Sequence, residues 1–545
     1  MSLFQSVLPK RVFSQTGAVS SRRAVRGLLA VMLVLTPAGF SQPAIALDAL
    51  LPPPQTVSVP VDDAQIEKAL TQLDRLTRDL MERSGVPGVA VAVTWKGRTV
   101  FVRGYGVRKA GAPDVIDADT VFQIASVSKS VAGSVVAAKV GDGTLGWDDP
   151  VRKYLPDFRL SDERISSMVT FGDLFAHRSG LPAHAGDDLE DLGYDRAEVL
   201  KRLRLLPLGK FRLDYAYTNF GLTAAAEAVA MASGTDWATL SEEVLYRPLG
   251  MERTSSRFKD FMARRNRAFP HVRQDGAFEA LYQRQPDAQS PAGGVSSSVN
   301  DLAKWMALVL AGGEYDGKRL IGAEALLKAT TAQVIASHSY APDARPGLYG
   351  YGFNVGVEPS GRVTVSHSGG FALGAGTNFL LVPALDLGIV VLTNAEPIGL
   401  AESLTRSFID VVEYGAPTRD WLQAYGKVLA PLTAPFGKTV GEVPPANSKA
   451  AHPLASYAGT YENAYFGPLT IAEQPSGLEL TIGPEHQRYA LSLWNDDSYT
   501  FEPRGENAPA GSRSLVRFET GSQGTVKSAW IEFFDENGLG TFEKR

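Results

Sequence analysis

Two pairs of strand-like segments enclose a long, mostly helical stretch of this sequence. Each pair consists of two apolar, β-branched runs joined by a short turn, Lys96-Gly97 in the first pair and Pro383 to Asp386 in the second. The runs cover residues 88–95, 98–105, 376–382 and 388–393. This arrangement predicts one antiparallel sheet assembled from both ends of a domain.

Helical patterns flank the strand pairs. Leucines recur at helical spacing within residues 62–83, and a second helix is predicted at about residues 400–413. The order of helix, strands, helical insertion, strands and helix predicts an α+β domain over residues 62–425, with helices packed over the sheet.

The composition changes after this domain. Residues 430–453 are rich in Pro, Ala, Thr, Gly and Ser, as is typical of an interdomain linker. Residues 454–545 contain short alternating runs separated by turn residues, which predicts a small all-β domain, a barrel of about eight strands. The predicted strands cover residues 458–461, 478–482, 489–493, 499–502, 515–518 and 530–534. Its aromatic residues fit the barrel core better than a substrate site, and they include Tyr461, Tyr465, Phe466 and Trp494.

Residues 1–46 are interpreted as a cleaved export signal. A basic stretch around Arg23 precedes an apolar run over residues 28–35, and Ala44 and Ala46 supply small residues for cleavage. The apolar run is shorter than the roughly 20 residues that a membrane-spanning helix needs. We therefore expect no membrane span after cleavage and a periplasmic or secreted protein. A twin-arginine signal and an uncleaved anchor helix are the alternatives.

The composition of the 545 residues narrows the kinds of site to consider. The chain has no cysteine, which excludes disulfides, thiolate metal sites and a cysteine nucleophile. The seven histidines are scattered, so no catalytic metal and no cofactor are expected. A formal net charge of -5 provides no attraction for nucleic acid. The expected partner is a small-molecule or peptide substrate, and the oligomeric state is left open.

Ser126 and Lys129 form the first element of a candidate site. The segment Ser126-Val127-Ser128-Lys129 follows an extended run and opens a helix of small residues. Because positions three apart share a helix face, both side chains are predicted to face one cleft. A serine becomes nucleophilic when a neighbouring base accepts its proton, and a lysine does this when burial lowers its pKa. A helix cap followed by a solvated lysine is the alternative interpretation.

Two later segments supply further groups. Tyr217-Thr218-Asn219 offers a phenol as a proton shuttle and a carboxamide that can hold a substrate amide. His367-Ser368-Gly369-Gly370 precedes the second strand pair, where an edge strand is expected to border the cleft. Taken singly, Tyr217 also fits an ordinary core aromatic, and His367 fits a hydrogen-bonded strand residue.

These three elements, in this order, resemble the SxxK, YxN and KTG-like motifs of serine β-lactamases, penicillin-binding DD-peptidases and related esterases. Segments at residues 177–182, 248–251 and 293–297 are similar to the class C branch, and the resemblance spans residues 62–415. It implies a β-lactamase/transpeptidase-like fold. The C-terminal unit is similar to the lipocalin-like barrels appended to some D-aminopeptidases and other penicillin-recognising hydrolases.

The resemblance implies a role for each matching residue. Ser126 attacks the substrate carbonyl, while Lys129 and Tyr217 move its proton. The backbone N–H groups of Ser126 and Gly370 form the oxyanion hole, which contributes about 3 kcal/mol per donor. The substrate-binding set consists of Asn219, His367, Gly369 and Gly370. His177 is left out of the catalytic set, because the loop that carries it is usually structural in this family.

His367 stands where the family motif has a cationic lysine. A histidine is only partly charged near pH 7, so recognition of a substrate carboxylate is expected to be weak or pH-dependent. This departure favours a peptidase or amidase acting on small or linear peptides, with D-residue peptides and linearised microcystin among the candidates. The alternatives are a carboxylesterase or β-lactamase of the same fold, and a catalytically silent binding or assembly protein.

Overall fold

An eight-stranded antiparallel sheet and a closed eight-stranded barrel form the framework of the computed structural model, which describes residues 57–521 and 524–545. The predicted α+β architecture with a C-terminal barrel is confirmed. The predicted export signal at residues 1–46 lies outside the described residues. No helix within the described ranges is long and apolar enough to cross a bilayer.

The large sheet joins the two ends of the first domain. The strands before the barrel are β1 (Gly88–Trp95), β2 (Arg98–Gly106), β3 (Phe122–Gln123), β4 (Val272–Gln274), β5 (Ala277–Glu279), β6 (Ser296–Ser297), β7 (Glu314–Tyr315), β8 (Lys318–Arg319), β9 (Val334–Ser337), β10 (Gly347–Tyr349), β11 (Asn354–Val357), β12 (Val363–Phe371), β13 (Ala375–Val382) and β14 (Leu387–Thr393). The sheet order is β2-β1-β14-β13-β12-β11-β10-β9. Val91 lies opposite Val391 where β1 pairs with β14, which confirms the predicted assembly from both ends.

The central strands follow their predicted bounds to within one residue. Lys96 and Gly97 have φ angles of 50° and 69°, the left-handed values of a tight hairpin turn. Strands β13 and β14 are buried along their whole length, because helices cover both faces of the sheet. Strands β9, β10 and β11 were not predicted, since runs of three or four residues are too short to show an alternation.

Helices cover both faces of the sheet. The helices are α1 (Asp63–Ser84), α2 (Val127–Gly141), α3 (Glu163–Met168), α4 (Phe171–Phe175), α5 (Asp187–Asp191), α6 (Arg196–Arg202), α7 (Asn219–Ala232), α8 (Trp237–Ser241), α9 (Phe258–Ala263), α10 (Ser290–Gly293), α11 (Val299–Leu310), α12 (Ala323–Thr330), α13 (Leu400–Tyr414), α14 (Trp421–Leu429) and α15 (Leu454–Tyr457). The predicted flanking helices, α1 and α13, bury Leu73, Leu404 and Phe408 against β1 and β14. The opposite face packs against α2 and α11 in the main core.

The C-terminal unit closes into a barrel. Its strands are β15 (Gly459–Glu462), β16 (Leu469–Gln474), β17 (Gly477–Ile482), β18 (Gln487–Asn495), β19 (Ser498–Phe501), β20 (Ser514–Thr520), β21 (Val526–Ile531) and β22 (Thr541–Lys544). Two of these, β16 and β22, were not predicted. The predicted strand at 530–534 ends at Ile531, and Glu532–Phe534 forms a 3-10 turn. Tyr461, Tyr465 and Phe466 are buried, as expected of core aromatics.

The barrel docks onto the helical insertion of the first domain. The N–H of Gly186, just before α5, donates to the Tyr465 hydroxyl at 3.1 Å. At the far end of α5, the Asp191 carboxylate accepts the N–H of Asn507 at 2.9 Å. The Glu506 carboxylate in turn accepts the N–H of Ala372, in the turn between β12 and β13, at 2.6 Å. The barrel therefore contacts two elements that border the candidate site.

Candidate active site

Ser126 lies at the N-terminal end of α2. The chain ahead of it is held by the β3–β6 pairing and by the Ile124 N–H, which donates to the Val295 carbonyl at 3.0 Å. Ala125 then has a φ of 46°, which is uncommon for a residue with a side chain, and this turns the strand sharply into the helix. The serine is consequently presented to a cavity while remaining 9% exposed.

Lys129 is fully buried beside Ser126. Its Nζ donates to Ser126 Oγ at 3.1 Å, to Asn219 Oδ1 at 2.7 Å and to the Ala292 carbonyl at 2.9 Å. Burial lowers the pKa of Lys129 to about 7, and the charge of Asp187 opposes this shift. The lysine can therefore exchange a proton with Ser126 near neutral pH.

Tyr217 closes the other side of the Ser126–Lys129 pair. Lys129 Nζ lies 4.6 Å from the centroid of its ring. The buried Tyr217 hydroxyl makes no hydrogen bond of acceptable geometry to any described residue. Burial raises the pKa of Tyr217 well above its ordinary value, although the neighbouring Ser126 side chain lowers it. A neutral phenol here is suited to relaying a proton rather than to acting as a phenolate base.

Asn219 connects Lys129 to a carboxylate. It begins α7, and its Oδ1 accepts from Lys129 while its Nδ2 donates to Asp187 Oδ2 at 2.9 Å. The same Asp187 oxygen lies 3.0 Å from His184 Nδ1. Both ends of the carboxamide are thus engaged within the protein, so the amide is held rigidly at the edge of the cavity.

His367 lies behind Tyr217 rather than on the cavity wall. Its side chain is fully buried, with its ring centroid 6.4 Å from that of Tyr217. Nδ1 donates to the Ser368 carbonyl at 2.6 Å, so Nε2 is the acceptor of the Tyr349 hydroxyl at 2.9 Å. Burial, reinforced by the charge of Lys129, lowers the pKa of His367 to about 3. The structure places a neutral histidine beneath the site, outside the residues that line the cavity.

His177 supports the segment that carries Tyr217. It is buried, its Nδ1 accepts the N–H of Thr218 at 3.2 Å, and its ring centroid is 4.6 Å from that of Tyr217. Burial lowers the pKa of His177 well below its usual range, so the ring is neutral. It does not border the cavity.

Strand β12 has a free edge next to Ser126. Strand β11 pairs with β12 only from Val363 to Ser366, which leaves the portion from His367 to Phe371 open on that side. The sequence predicted that an edge strand borders the cleft. The open edge is instead the C-terminal part of β12, a strand in the interior of the sheet. A Cβ at Gly369 would lie 3.0 Å from Ser126 N, so only glycine allows the strand to approach the serine this closely. The neighbouring Gly370 borders the cavity.

A cavity of about 790 Å³ opens above these groups. Ser126, Tyr217, Asn219 and Gly370 line it, and residues of two further regions complete its wall. The predicted linker contributes Leu432, Pro435 and Phe436, and the barrel contributes Glu506, Trp530 and Glu536. Within the described ranges, no group of three or more His, Cys, Asp or Glu side chains is arranged to hold a metal ion.

Three site features were missed by sequence reasoning. Asp187 was not singled out, although the acidic segment that contains it is visible, because no spacing rule connects it to Ser126. The Ala292 carbonyl is a backbone group and has no side-chain signature. The barrel's share of the cavity wall depends on how two domains dock, which local patterns do not encode.

Comparison with known families gives two matches. The model of the family described as "Beta-lactamase" matches residues 73–410. A second model, described as a domain of unknown function (DUF3471), matches residues 443–540.

Several curated proteins are similar to the chain. The unguisins hydrolase ungD of Aspergillus violaceofuscus is 26% identical, over 71% of this chain and 73% of that protein. The D-alanyl-D-alanine-carboxypeptidase/endopeptidase AmpH of Escherichia coli is 25% identical, over 62% of this chain and 88% of that protein. Esterase EstB of Burkholderia gladioli is 27% identical, over 61% of this chain and 92% of that protein.

Among solved structures, the octameric penicillin-binding protein homologue from Pyrococcus abyssi is similar in fold. It superposes with a TM-score of 0.54 at 18% identity, and the match covers 87% of this chain and all of that chain.

Proposed function

The chain belongs to the Beta-lactamase family, and from this premise we propose that it is a serine hydrolase that forms an acyl-enzyme on Ser126. The observation that carries the proposal is the 3.1 Å hydrogen bond between Lys129 Nζ and Ser126 Oγ, made by a buried lysine whose pKa is near 7. The hydrolase activities in the names of the relatives support the reaction class.

This geometry supports the following acylation step. Neutral Lys129 accepts the Ser126 hydroxyl proton while Oγ attacks the substrate carbonyl carbon. The carbonyl oxygen becomes an oxyanion, to which the N–H groups of Ser126 and Gly370 donate, an effect of about 3 kcal/mol per donor. The bond to the leaving group then breaks, and the proton passes from Lys129 through Tyr217 to the departing nitrogen or oxygen. Water attacks the acyl-enzyme in the second half, which returns the proton to Ser126.

The proposed substrates are small or linear peptides and amides, including those with a D-residue at the scissile bond. Because His367 is buried and uncharged, we propose that it positions Tyr217 from behind and does not contact the substrate. Asn219 is proposed to orient the substrate amide from the cavity edge.

A carboxylesterase is the second candidate. The neutral His367 favours it, because an ester substrate needs no cation to hold a carboxylate. Turnover of p-nitrophenyl esters without turnover of peptide amides or nitrocefin would select the esterase.

A fluorophosphonate probe followed by mass spectrometry tests the nucleophile. We expect one adduct, on Ser126, and no adduct in Ser126→Ala. Ser167→Ala is the matched control, because this serine is exposed and its hydroxyl donates to the neighbouring Arg164 carbonyl. An adduct that persists in Ser126→Ala, or an unlabelled wild-type protein without turnover, would contradict the proposal.

We also propose export and the division of the chain at residues 62–425, 430–453 and 454–545. The two family models support this division, since they match on either side of residue 430. Sequencing the N-terminus of the protein recovered outside the cytoplasm tests cleavage near Ala46.

A further inference from the structure

The cavity above Ser126 is lined by an excess of carboxylates. Among the described residues on its wall, eight side chains are acidic and three can carry a positive charge. Most of the acids have partners nearby: Glu190 accepts from Arg284, and Asp535 accepts the indole N–H of Trp530 at 2.8 Å. The acids without such partners determine whether the cavity favours a cationic or an anionic ligand.

Asp188 and Glu536 are two such acids. Asp188 is in α5 and Glu536 follows the 3-10 turn of the barrel, so they approach the cavity from different domains. Neither side chain has a hydrogen bond or an ion pair with any described residue. Burial, followed by the charges of Glu536, Asp191 and Asp187, raises the pKa of Asp188 well above its ordinary value, and the charge of the nearby His184 opposes this shift.

Asp187 adds a buried oxygen without a partner. Its side chain borders the cavity and the residue is only 5% exposed. Oδ2 accepts from Asn219, but Oδ1 has no hydrogen-bond donor among the described residues. A buried acceptor left without a donor is destabilising, so a donor supplied by a ligand would be stabilising here.

The cavity provides little for an anionic group. Arg284 is bonded to Glu190 and lies 3.9 Å from Glu506, and Lys438 lies 3.9 Å from Glu532. His184 is 3.0 Å from Asp187. A substrate carboxylate would therefore have to compete with an existing partner, whereas an ammonium would meet three carboxylates, those of Asp187, Asp188 and Glu536, that share the single cationic side chain of His184.

We propose that Asp187, Asp188 and Glu536 form a subsite for a protonated primary amine next to the scissile carbonyl, so that the enzyme acts on aminoacyl amides and peptides with a free amino terminus. The position follows from connectivity: Asp187 is bonded to Asn219, Asn219 to Lys129, and Lys129 to Ser126. The substrate class rests on the proposed serine hydrolase function, whereas the amine subsite can be tested without turnover.

The kinetic test compares alanine p-nitroanilides, D and L, with their N-acetylated counterparts. We expect kcat/KM to favour the free amine by about tenfold or more, since tenfold corresponds to 1.4 kcal/mol. Asp188→Asn and Glu536→Gln should each reduce that ratio several-fold, and the double variant should bring it near one. The matched controls Asp343→Asn and Glu543→Gln change exposed acids outside the cavity wall and should keep the ratio. Labelling of Ser126 by the fluorophosphonate probe in each variant reports whether the nucleophile is intact.

The binding test uses the full-length Ser126→Ala protein and isothermal titration. An alanyl-alanine amide with a free amine should bind about tenfold more tightly than its N-acetylated form, and Asp188→Asn should reduce the difference. Equal affinities for the free and N-acetylated amides would overturn the amine subsite. Equal kcat/KM values for the free and N-acetylated p-nitroanilides would do the same, provided that the probe labels Ser126. Failure of Ser126 labelling with an intact amine preference would instead overturn the serine hydrolase proposal.

Discussion

The acid–base properties of Lys129 depend on the surroundings of its Nζ. Its Nζ is removed from solvent and meets Ser126 Oγ, Asn219 Oδ1 and the Ala292 carbonyl. Three acceptors satisfy the three N–H bonds of an ammonium, but burial disfavours the charge and lowers the pKa to about 7. The same side chain is thus stable when protonated and available as a base near neutral pH.

The pH dependence of acylation follows from this pKa. Only the neutral form of Lys129 accepts a proton, so kcat/KM should rise as pH rises through about 7 and level off above it. In Lys129→Arg the guanidinium keeps its proton, and activity should fall roughly 10²- to 10⁴-fold. A pH–rate profile between pH 5 and 9 provides the measurement. A flat profile in the wild type would exclude Lys129 as the base.

Asp187→Asn should shift this profile in a defined direction. The Asp187 charge raises the pKa of Lys129, so its removal should move the acidic limb to lower pH. The plateau should also fall about tenfold, because the Asn219 amide loses a charged acceptor. Asp343→Asn, an exposed acid, is the control and should leave the profile in place. A limb that moves to higher pH would contradict this electrostatic account.

At the scale of elements, the site depends on the contact between the start of α2 and the free edge of β12. Thr377 on β13 donates its hydroxyl to the Ile124 carbonyl at 2.8 Å, which ties the sheet to the residues just before the serine. Gly369 lies in this contact. Because Gly369 has no side chain, the strand can approach the Ser126 backbone closely. The N–H groups of Ser126 and Gly370, which are proposed to form the oxyanion hole, lie at this contact.

Gly369→Ala should separate these two elements. The new Cβ would lie 2.3 Å from the Ile124 carbonyl oxygen and 2.4 Å from Thr377 Oγ1, so the strand must shift. We expect a loss of about 1–3 kcal/mol in unfolding free energy and a fall in kcat of about 10²-fold or more.

Gly426→Ala is the matched control for this substitution. Gly426 lies within α14, where the nearest atom outside the helix to a new Cβ, the Ile398 carbonyl oxygen, is 3.9 Å away. This change should leave kcat unaltered and add about 0.5–1 kcal/mol of stability. Chemical denaturation and steady-state kinetics measure both effects, and an active Gly369→Ala enzyme would show that the close approach is dispensable.

At the scale of the whole molecule, the barrel is part of the wall of the candidate-site cavity. Tyr465 contacts Gly186, the residue before α5, and Glu506 contacts the β12–β13 turn. Asp187 begins α5, and Gly370 lies near the end of β12, just before this turn. Residues of the predicted linker complete the enclosure. Docking of the C-terminal unit is therefore expected to affect catalysis as well as stability.

Tyr465→Phe tests this coupling. It leaves the Gly186 N–H without its acceptor, which should lower the unfolding free energy by about 1–3 kcal/mol and reduce kcat/KM because α5 carries Asp187. Tyr461→Phe removes a buried hydroxyl that donates to the Tyr457 carbonyl inside the barrel, so it should affect stability alone. Thermal melts and kinetics on both variants distinguish the two cases. Equal kcat/KM in the two variants would argue against catalytic coupling through this contact.

Much of the architecture was accessible from local patterns. The strand pairs, the helices α1 and α13, and the alternating runs of the barrel follow periodicities that short segments display by themselves. The motifs containing Ser126, Lys129 and Tyr217 were also visible, since each depends on residue types at short spacing.

The sequence by itself determined which elements form and which side chains carry the candidate chemistry, because hydrophobic periodicity and short motifs act over a few residues. Only the tertiary structure decided that His367 lies behind Tyr217, that Asp187 joins the lysine network, and that the barrel closes the cavity. These facts depend on which residue of β12 turns inward and on how two domains dock. Both are set by packing between segments hundreds of residues apart, and no local pattern records that packing.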